Sequence, residues 1–204
     1  MPVAPARTPL AEDKAPGHAA LLVVDIFSGW DFEDAEPLAA RATRMAPRLG
    51  ALLARGRRAG VPVVFVNDNQ GRWRSDAVAV VRHAATASAP GRTIGGHVGV
   101  AADDYFVLKP KHSAFFATPL DLLLRHLRVR RLWLAGVAAD RCVLLTAIEA
   151  RMRDYDVVAV ADCVAAQTAR DEREALRRLD DHQVEARQSR SIRFAAPPPR
   201  RRAG

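Results

Sequence analysis

Three side chains that lie far apart in the sequence, Asp25, Lys109 and Cys142, together have the chemistry of a nucleophilic catalytic site. A thiol near its reference pKa of about 8.5 is mostly protonated at neutral pH, so a nucleophilic cysteine needs a base or positive neighbours. An aspartate can accept the thiol proton and later return it to a leaving amine. A lysine nearby favours the thiolate and limits the rise in the pKa of the aspartate. The three residues predict attack by Cys142 on a substrate, provided that the fold brings them together.

Each of these residues alone also has a purely structural interpretation. Asp25 fits a cap or turn at a strand end, and Lys109 fits a solvated position where Lys111 competes for any role. Cys142 alone fits a small core position. The other cysteine, Cys163, lacks comparable neighbours and is interpreted as structural.

The sequence around Cys142 predicts a strand, a tight turn and a helix. Residues 132–135 have strand character, and a helix is predicted over 142–154. Cys142 would then lie at a helix start, where unpaired N–H groups and the helix dipole favour a thiolate. The backbone N–H groups of Ala138 and Cys142 are predicted to bind an oxyanion, and one such donor lowers a barrier by roughly 3 kcal/mol.

Strand-like and helix-like segments alternate along the chain. The predicted strands are 19–25, 61–66, 105–108, 132–135, 157–161 and 184–186. The predicted helices are a segment from Leu38 to Gly60 that Pro47 kinks or divides, then 75–83, 119–128, 142–154 and 171–180. Doubly buried strands that alternate with helices predict an α/β fold, an open parallel sheet with helices on both faces. In such sheets the ligand lies beyond the carboxyl ends of the strands, where Asp25, Lys109 and Cys142 fall.

Length and composition predict one folded domain. The chain has 204 residues, 49% of them hydrophobic, which suffices for one well-buried core. We expect a flexible N-terminal segment over 1–17, a folded domain over 18–194 and a flexible basic tail over 195–204. No apolar run approaches the roughly 18 residues of a membrane span, and 1–17 lacks the apolar core of a signal peptide. Two cysteines are too few for a disulfide framework, so a reduced, cytoplasmic setting is expected.

The net charge of +8 does not by itself predict a nucleic-acid partner. Part of the excess lies in the arginine cluster 200–202, and most other arginines alternate with acidic residues, as in 170–174. No nucleic-acid recognition motif accompanies the charge. We therefore expect a small-molecule substrate, with no specific nucleic acid and no membrane as partner.

Three segments together resemble the signature blocks of the isochorismatase-like cysteine hydrolases. They are 21–25 (LLVVD), 107–116 (VLKPKHSAFF) and 136–143 (GVAADRCV), and the likeness covers roughly residues 19–166. The resemblance implies a three-layer α/β/α sandwich around a six-stranded, mostly parallel sheet, assembled as a dimer or tetramer. The family includes nicotinamidases, N-carbamoylsarcosine amidohydrolases and isochorismatases.

The resemblance also implies a role for each matching position. The family's catalytic aspartate falls on Asp25 and its cysteine on Cys142. Its lysine stands four residues before a Ser or Thr, which selects Lys109, four residues before Ser113, over Lys111. A cis peptide usual in this family would join Val137 to Ala138 and turn the Ala138 N–H toward the oxyanion. The implied activity is hydrolysis of a C–N bond in a small amide, carbamoyl or related metabolite through a Cys142 thioester. The alternative is a relative that binds a metabolite without hydrolysing it.

Two departures from the family pattern bear on the substrate. Nicotinamidases carry an Asp-x-His and further histidines after the second strand, which bind a metal. This chain has NDNQGRW over 67–73 and no histidine there before His83. We therefore expect no metal and no cofactor, and we disfavour nicotinamide as the substrate. In addition, Ala139 replaces a frequent Thr or Ser, which removes one hydroxyl near the oxyanion turn.

Aromatic residues beside the signature blocks are predicted to form an apolar wall of the substrate pocket: Phe27, Trp30, Trp73 and Phe116. Arg72 would pair with a substrate carboxylate, because arginine binds carboxylates bidentately. The same aromatic residues fit equally well the packing of a lid or of a dimer interface. The connection over 67–99 is long, which predicts a lid or a substrate-facing segment.

Overall fold

The computed structural model of the chain describes residues 18–194. The predicted flexible ends, 1–17 and 195–204, lie outside the described residues. The strands are β1 (Ala19–Val24), β2 (Val63–Asp68), β3 (Tyr105–Lys109), β4 (Arg131–Val137), β5 (Asp156–Ala165) and β6 (Glu185–Arg187). The α-helices are α1 (Ala35–Arg58), α2 (Ala77–Ala87), α3 (Ala89–Val98), α4 (Leu120–His126), α5 (Leu144–Met152) and α6 (Ala169–Asp181).

These strands pair in parallel into one sheet, in the order β3-β2-β1-β4-β5-β6. The strand order reverses between the neighbours β1 and β4, and a ligand crevice forms beyond the carboxyl ends of the strands at such a point. The prediction of an α/β fold with a six-stranded parallel sheet is confirmed.

Helices cover both faces of the sheet, because successive residues of a strand point to opposite sides. Leu21 and Val23 of β1 belong to a core shared with α1, α2 and α3. Leu22 and Val24 belong to a second core, shared with α4, α5 and α6. The sheet is therefore the middle layer of a three-layer α/β/α sandwich, and its strand ends are held from both sides.

Gly136 allows β4 to approach β1 closely at the end of both strands. Gly136 pairs in register with Val24, and a Cβ on Gly136 would lie 2.0 Å from the Val24 carbonyl oxygen. Its φ of +119° is also one that residues with a side chain rarely adopt. The two strands that lead into Asp25 and Cys142 thus depend on a glycine here.

Of the two predicted effects of Pro47 on the first helix, a kink or a division, the division is wrong, and the kink stays a prediction. Helix α1 is unbroken, with Pro47 inside it. An interior proline costs a helix about 3 kcal/mol. The buried stripe of α1 nevertheless continues on both sides of Pro47, from Leu38 and Met45 to Leu49 and Leu53. Burial of this stripe in the core outweighs the cost of the proline.

The segment over 67–99 contains two helices where the sequence predicted one. Ser88 ends α2 and caps α3, and its Oγ accepts a hydrogen bond from the Gly91 N–H at 3.1 Å. The glycines of α3 lower its helix propensity, which is why it was missed. A Cβ on Gly91 would lie 2.1 Å from the Ala84 carbonyl oxygen, so this glycine allows α3 to approach α2. A lid role for this segment stays a prediction.

Candidate active site

The three predicted catalytic side chains meet at the carboxyl edge of the sheet. Asp25 directly follows β1, Lys109 is the last residue of β3, and Cys142 lies in the turn after β4. The Lys109 Nζ is 2.8 Å from Asp25 Oδ2 and 3.6 Å from Cys142 Sγ. Because Asp25 and Cys142 flank the point where strand order reverses, the sheet topology itself brings them together.

Asp25 is held from two directions. Its Oδ1 accepts a hydrogen bond from the Asp68 N–H at 2.7 Å, and its Oδ2 faces Lys109. Burial raises the pKa of Asp25, and the Lys109 charge and a hydrogen bond with the Cys142 thiol oppose that rise only in part. A carboxylate with a raised pKa is a stronger base toward a neighbouring thiol.

Lys109 is a fully buried cation with several partners. Its Nζ donates to the Lys111 carbonyl at 3.0 Å and lies 3.5 Å from Asp68 Oδ2, in addition to its contact with Asp25. Burial alone lowers the pKa of Lys109, but the charges of Asp25 and Cys142 outweigh burial and raise it. Lys109 therefore stays charged. Lys111, in contrast, is exposed and contributes a backbone carbonyl.

Cys142 does not begin an α-helix, contrary to the prediction. It lies in a π-helical turn over Ala139–Val143, and α5 begins only at Leu144. The N–H groups of Arg141 and Val143 both donate to the Ala138 carbonyl, each at 3.1 Å. The turn is therefore wider than an α-helical turn, and it continues directly into α5.

Burial and the Asp25 charge oppose the thiolate that the helix start is predicted to favour. Burial and then the Asp25 charge raise the pKa of Cys142 to about 12, and Lys109 lowers it only in part. At neutral pH the sulfur therefore carries its proton, and a nucleophilic Cys142 requires a base at the moment of attack.

The predicted oxyanion turn lies beside the sulfur. Val137 and Ala138 are joined by a cis peptide bond, at the position that the family resemblance implies. Both residues line the same cavity as Cys142. The binding of an oxyanion by the N–H groups of Ala138 and Cys142 stays a prediction.

A cavity of about 330 Å³ opens beside Cys142. Phe27 and Trp30, two of the predicted substrate-contacting residues, line it together with Phe32 and Leu38. The Trp30 Nε1 is buried and has no hydrogen-bond partner within the described part of the chain. A buried indole N–H normally finds a partner, so this unsatisfied donor is unusual.

Asn67 fixes the backbone of this cavity wall. Its Oδ1 accepts from the Phe27 N–H at 3.0 Å, and its Nδ2 donates to the Phe27 carbonyl at 2.7 Å. Asn67 is only 2% exposed and lines the cavity itself. Sequence reasoning missed this role, although the signal was an amide residue at the end of an apolar strand.

The other predicted substrate-contacting residues lie elsewhere. Arg72 and Trp73 line a neighbouring cleft of about 570 Å³, which shares Gln70 with the first cavity, and Trp73 is 80% exposed. Phe116 is 54% exposed and lines neither space, because its neighbour Phe115 takes the buried position. The structure does not bring these three residues to Cys142, and their contact with substrate stays a prediction.

His112 is a site residue that sequence reasoning missed. Its Nδ1 lies 3.5 Å from Cys142 Sγ, and its side chain lines the cavity. The signal was available, because His112 lies inside the second signature block, three residues after Lys109.

The segment that carries Lys109 and His112 is tied to α5. The Ser113 Oγ donates to Glu149 Oε2 at 2.5 Å, and the Ala114 N–H donates to the buried Thr146 Oγ1 at 3.0 Å. Since α5 follows the Cys142 turn directly, these bonds couple the position of the lysine and histidine to that of the sulfur.

Among residues 18–194, no three His, Cys, Asp or Glu side chains are grouped so that they could hold a metal ion. The absence of a metal from the chemistry stays a prediction, since it rests on the sequence over 67–73. Within the same range, no helix is long and apolar enough to cross a membrane.

The chain matches proteins of known family. The isochorismatase domain model matches residues 19–191. An uncharacterized isochorismatase family protein of Bacillus subtilis, YaaI, is 33% identical over 162 residues, which cover 79% of this chain and 88% of that protein. A protein of Arabidopsis thaliana named a probable inactive nicotinamidase is 30% identical over 164 residues, 74% of this chain and 82% of the relative. The crystal structure of N-carbamoylsarcosine amidase from Thermoplasma acidophilum is 26% identical with a TM-score of 0.59, over 85% of this chain and 98% of that chain.

Proposed function

The chain belongs to the isochorismatase family, and from that premise we propose that it is a cysteine-dependent hydrolase of a C–N bond in a small amide or carbamoyl compound. The observation that carries the proposal is the contact of Lys109 Nζ with both Asp25 and Cys142 at the switch point of the sheet. An amidase among the solved relatives supports the choice of a C–N bond.

In the first half of the proposed reaction, the Cys142 thiol is the nucleophile and Asp25 is the base. The thiol proton passes to the Asp25 carboxylate as the sulfur bonds to the substrate carbonyl carbon. The oxyanion then collapses, the C–N bond breaks, and Asp25 returns its proton to the leaving amine. A thioester on Cys142 remains, and water hydrolyses it. The raised pKa values of Asp25 and Cys142 favour this order, because the proton leaves sulfur only when the bond forms.

Lys109 has an electrostatic role in this proposal. It holds Asp25 ionised in a buried site and stabilises negative charge on sulfur, which lies 3.6 Å away. A buried ammonium without paired carboxylates would be strongly unfavourable, so Asp25 and Asp68 are also what keeps Lys109 charged there.

The cavity limits the substrate to a small metabolite. A volume of about 330 Å³ accommodates a compound at the lower end of the usual range for ligand sites. Phe27, Trp30 and Phe32 favour an apolar or planar group.

Ammonia release from a panel of small amides and N-carbamoyl compounds tests the proposal. Cys142→Ala should abolish turnover. Cys163→Ala is the matched control, because Cys163 lies on β5 with 0% exposure and should not contact substrate. Equal loss in both variants would contradict the assignment of Cys142 as the nucleophile.

A metabolite-binding protein without hydrolytic activity is the second candidate. The Arabidopsis relative, named as inactive, favours this possibility, as does a resting thiol with a pKa of about 12. Saturable binding of a panel compound without product formation, in a protein whose Cys142 still reacts with alkylating agents, would support this candidate over the hydrolase.

A further inference from the structure

The sulfur of the candidate nucleophile contacts His112 as well as the buried Lys109. Its Nδ1 is 3.5 Å from Cys142 Sγ, while Lys109 Nζ approaches the same sulfur at 3.6 Å. His112 is exposed and lines the cavity, whereas Lys109 has no exposed surface. The Cys142 sulfur therefore contacts both Lys109, which is paired with Asp25, and the His112 imidazole at the cavity wall.

Asp25 lines the same cavity as His112 but is less exposed and is already bound by neighbouring groups. Its Oδ1 accepts the Asp68 N–H at 2.7 Å, its Oδ2 is 2.8 Å from Lys109 Nζ, and its side chain is 15% exposed. A water that approaches an acyl group on Cys142 from the cavity meets the exposed imidazole of His112 on that side. A base acts on a water or proton that lies within hydrogen-bond reach, directly or through one water.

We propose that His112 is a second catalytic residue, which activates the water that hydrolyses the Cys142 thioester. This inference rests on the proposed function. His112 takes a proton from water as the water oxygen bonds to the thioester carbon. The C–S bond then breaks, and the imidazolium passes the same proton to the departing sulfur, 3.5 Å from Nδ1 in the resting site. The product leaves as a carboxylic acid, and Cys142 and His112 return to their starting protonation states.

The proposal divides the proton transfers between two residues. Asp25 carries the thiol proton to the leaving amine in the first half of the reaction, and His112 carries a water proton to sulfur in the second half. Each residue finishes its half of the reaction unchanged, so no further acid, base or oxidant is required. His112 is well placed for this step, because it follows Lys111, whose carbonyl is bound by Lys109.

The decay of a preformed acyl-enzyme tests this role without a known substrate. Cys142 is acetylated with p-nitrophenyl acetate, excess reagent is removed, and loss of the acetyl group is followed by intact-protein mass spectrometry. The variant is His112→Gln, and the matched control is His126→Gln, an exposed histidine that ends α4. We expect decay in His112→Gln to be slower by about 10²- to 10⁴-fold, the usual contribution of a general base, and His126→Gln to match the wild type.

Hydroxylamine distinguishes a base from a merely structural residue. It is a strong nucleophile that needs no base, so it should remove the acetyl group from the wild type and from His112→Gln at rates within about threefold of each other. Decay of His112→Gln in water at the wild-type rate would overturn the role of His112 alone. An equally slow reaction with hydroxylamine would also overturn it, because it would indicate a blocked or distorted cavity. Failure of Cys142 to accept an acetyl group would overturn both this role and the proposed function.

Discussion

Replacement of Lys109 by Met should destabilise the protein in a way that depends on pH. Lys109 is fully buried and lies 2.8 Å from Asp25, whereas its contact with Asp68, at 3.5 Å, involves a carboxylate that is 39% exposed. Removing one partner of a buried ion pair costs about 3–5 kcal/mol of unfolding free energy, because the other charge is left unpaired. Asp68 can be solvated, so most of that cost falls on Asp25.

The pH dependence follows from the direction of the Asp25 shift. Burial already raises the pKa of Asp25, and loss of the Lys109 charge raises it further. The folded variant then holds a proton that the unfolded chain releases, so its stability falls as pH rises between the unfolded and folded pKa values. The slope is up to about 1.4 kcal/mol per pH unit. In the wild type the Lys109 charge limits the rise in the Asp25 pKa, so this loss of stability is smaller. The raised pKa of Lys109 itself stabilises the fold below the unfolded lysine pKa, and that stability is lost only as pH rises through the folded value.

Urea unfolding from pH 5 to pH 8 measures this effect in Lys109→Met and in the double variant Asp25→Asn, Lys109→Met. The difference in unfolding free energy between the wild type and the single variant should increase with pH. The double variant should be more stable than the single one at pH 8, because no unpaired buried charge remains. A pH-independent gap, or a double variant as unstable as the single one, would refute the assignment of Asp25 as the charge that Lys109 balances.

Three further changes test the framework of the site. Asn67→Ala should raise KM and lower the unfolding free energy by about 1–3 kcal/mol, because it leaves the Phe27 N–H and carbonyl unpaired. Unchanged kinetics would contradict the role of Asn67 in fixing the cavity wall. Gly136→Ala should destabilise by at least about 3 kcal/mol, measured by thermal unfolding, since its Cβ would collide with the Val24 carbonyl; a neutral effect would refute the close approach. Thr146→Val should lower the unfolding free energy by about 1–3 kcal/mol and also lower kcat, because the Ala114 N–H, in the segment that carries Lys109, loses its acceptor. Loss of stability without a change in kcat would limit Thr146 to a structural role.

The parts of the fold that depend on periodicity could be predicted from the sequence. The apolar run that forms β1 and the helical stripe of α1 identified both elements, and the alternation of strands and helices gave the parallel sheet. Helix α3 could not be predicted, because its glycines disfavour a helix locally and are explained only by the approach of Gly91 to Ala84. The unbroken α1 could not be predicted either, because the burial of residues on both sides of Pro47 outweighs the local cost of a proline inside a helix.

The site, like the fold, has features that the sequence pattern indicates and others that depend on contacts formed only in the folded protein. Asp25, Lys109 and Cys142 were selected because strand ends converge in this topology, and the structure brings them together. The protonation of Cys142 could not be predicted, because it depends on burial and on the Asp25 charge rather than on position along a helix. His112 and Asn67 stand beside predicted site residues in the sequence, but their contacts with Cys142 and with the Phe27 backbone join residues far apart along the chain and are formed only by the fold.

The rate of Cys142 alkylation by iodoacetamide between pH 5 and pH 10, in the wild type and in Asp25→Asn, tests the central claim most directly. Peptide mass spectrometry separates Cys142 from the buried Cys163, whose own pKa burial raises to about 12. If Asp25 accepts the thiol proton, wild-type labelling of Cys142 should be far faster than that of Cys163 and should reach a plateau above the pKa of Asp25. In Asp25→Asn only the free thiolate reacts, so the rate should rise about tenfold per pH unit up to the pKa of Cys142, which the Asp25 charge no longer raises. Profiles of the same shape in both proteins, or equal labelling of the two cysteines, would contradict the account.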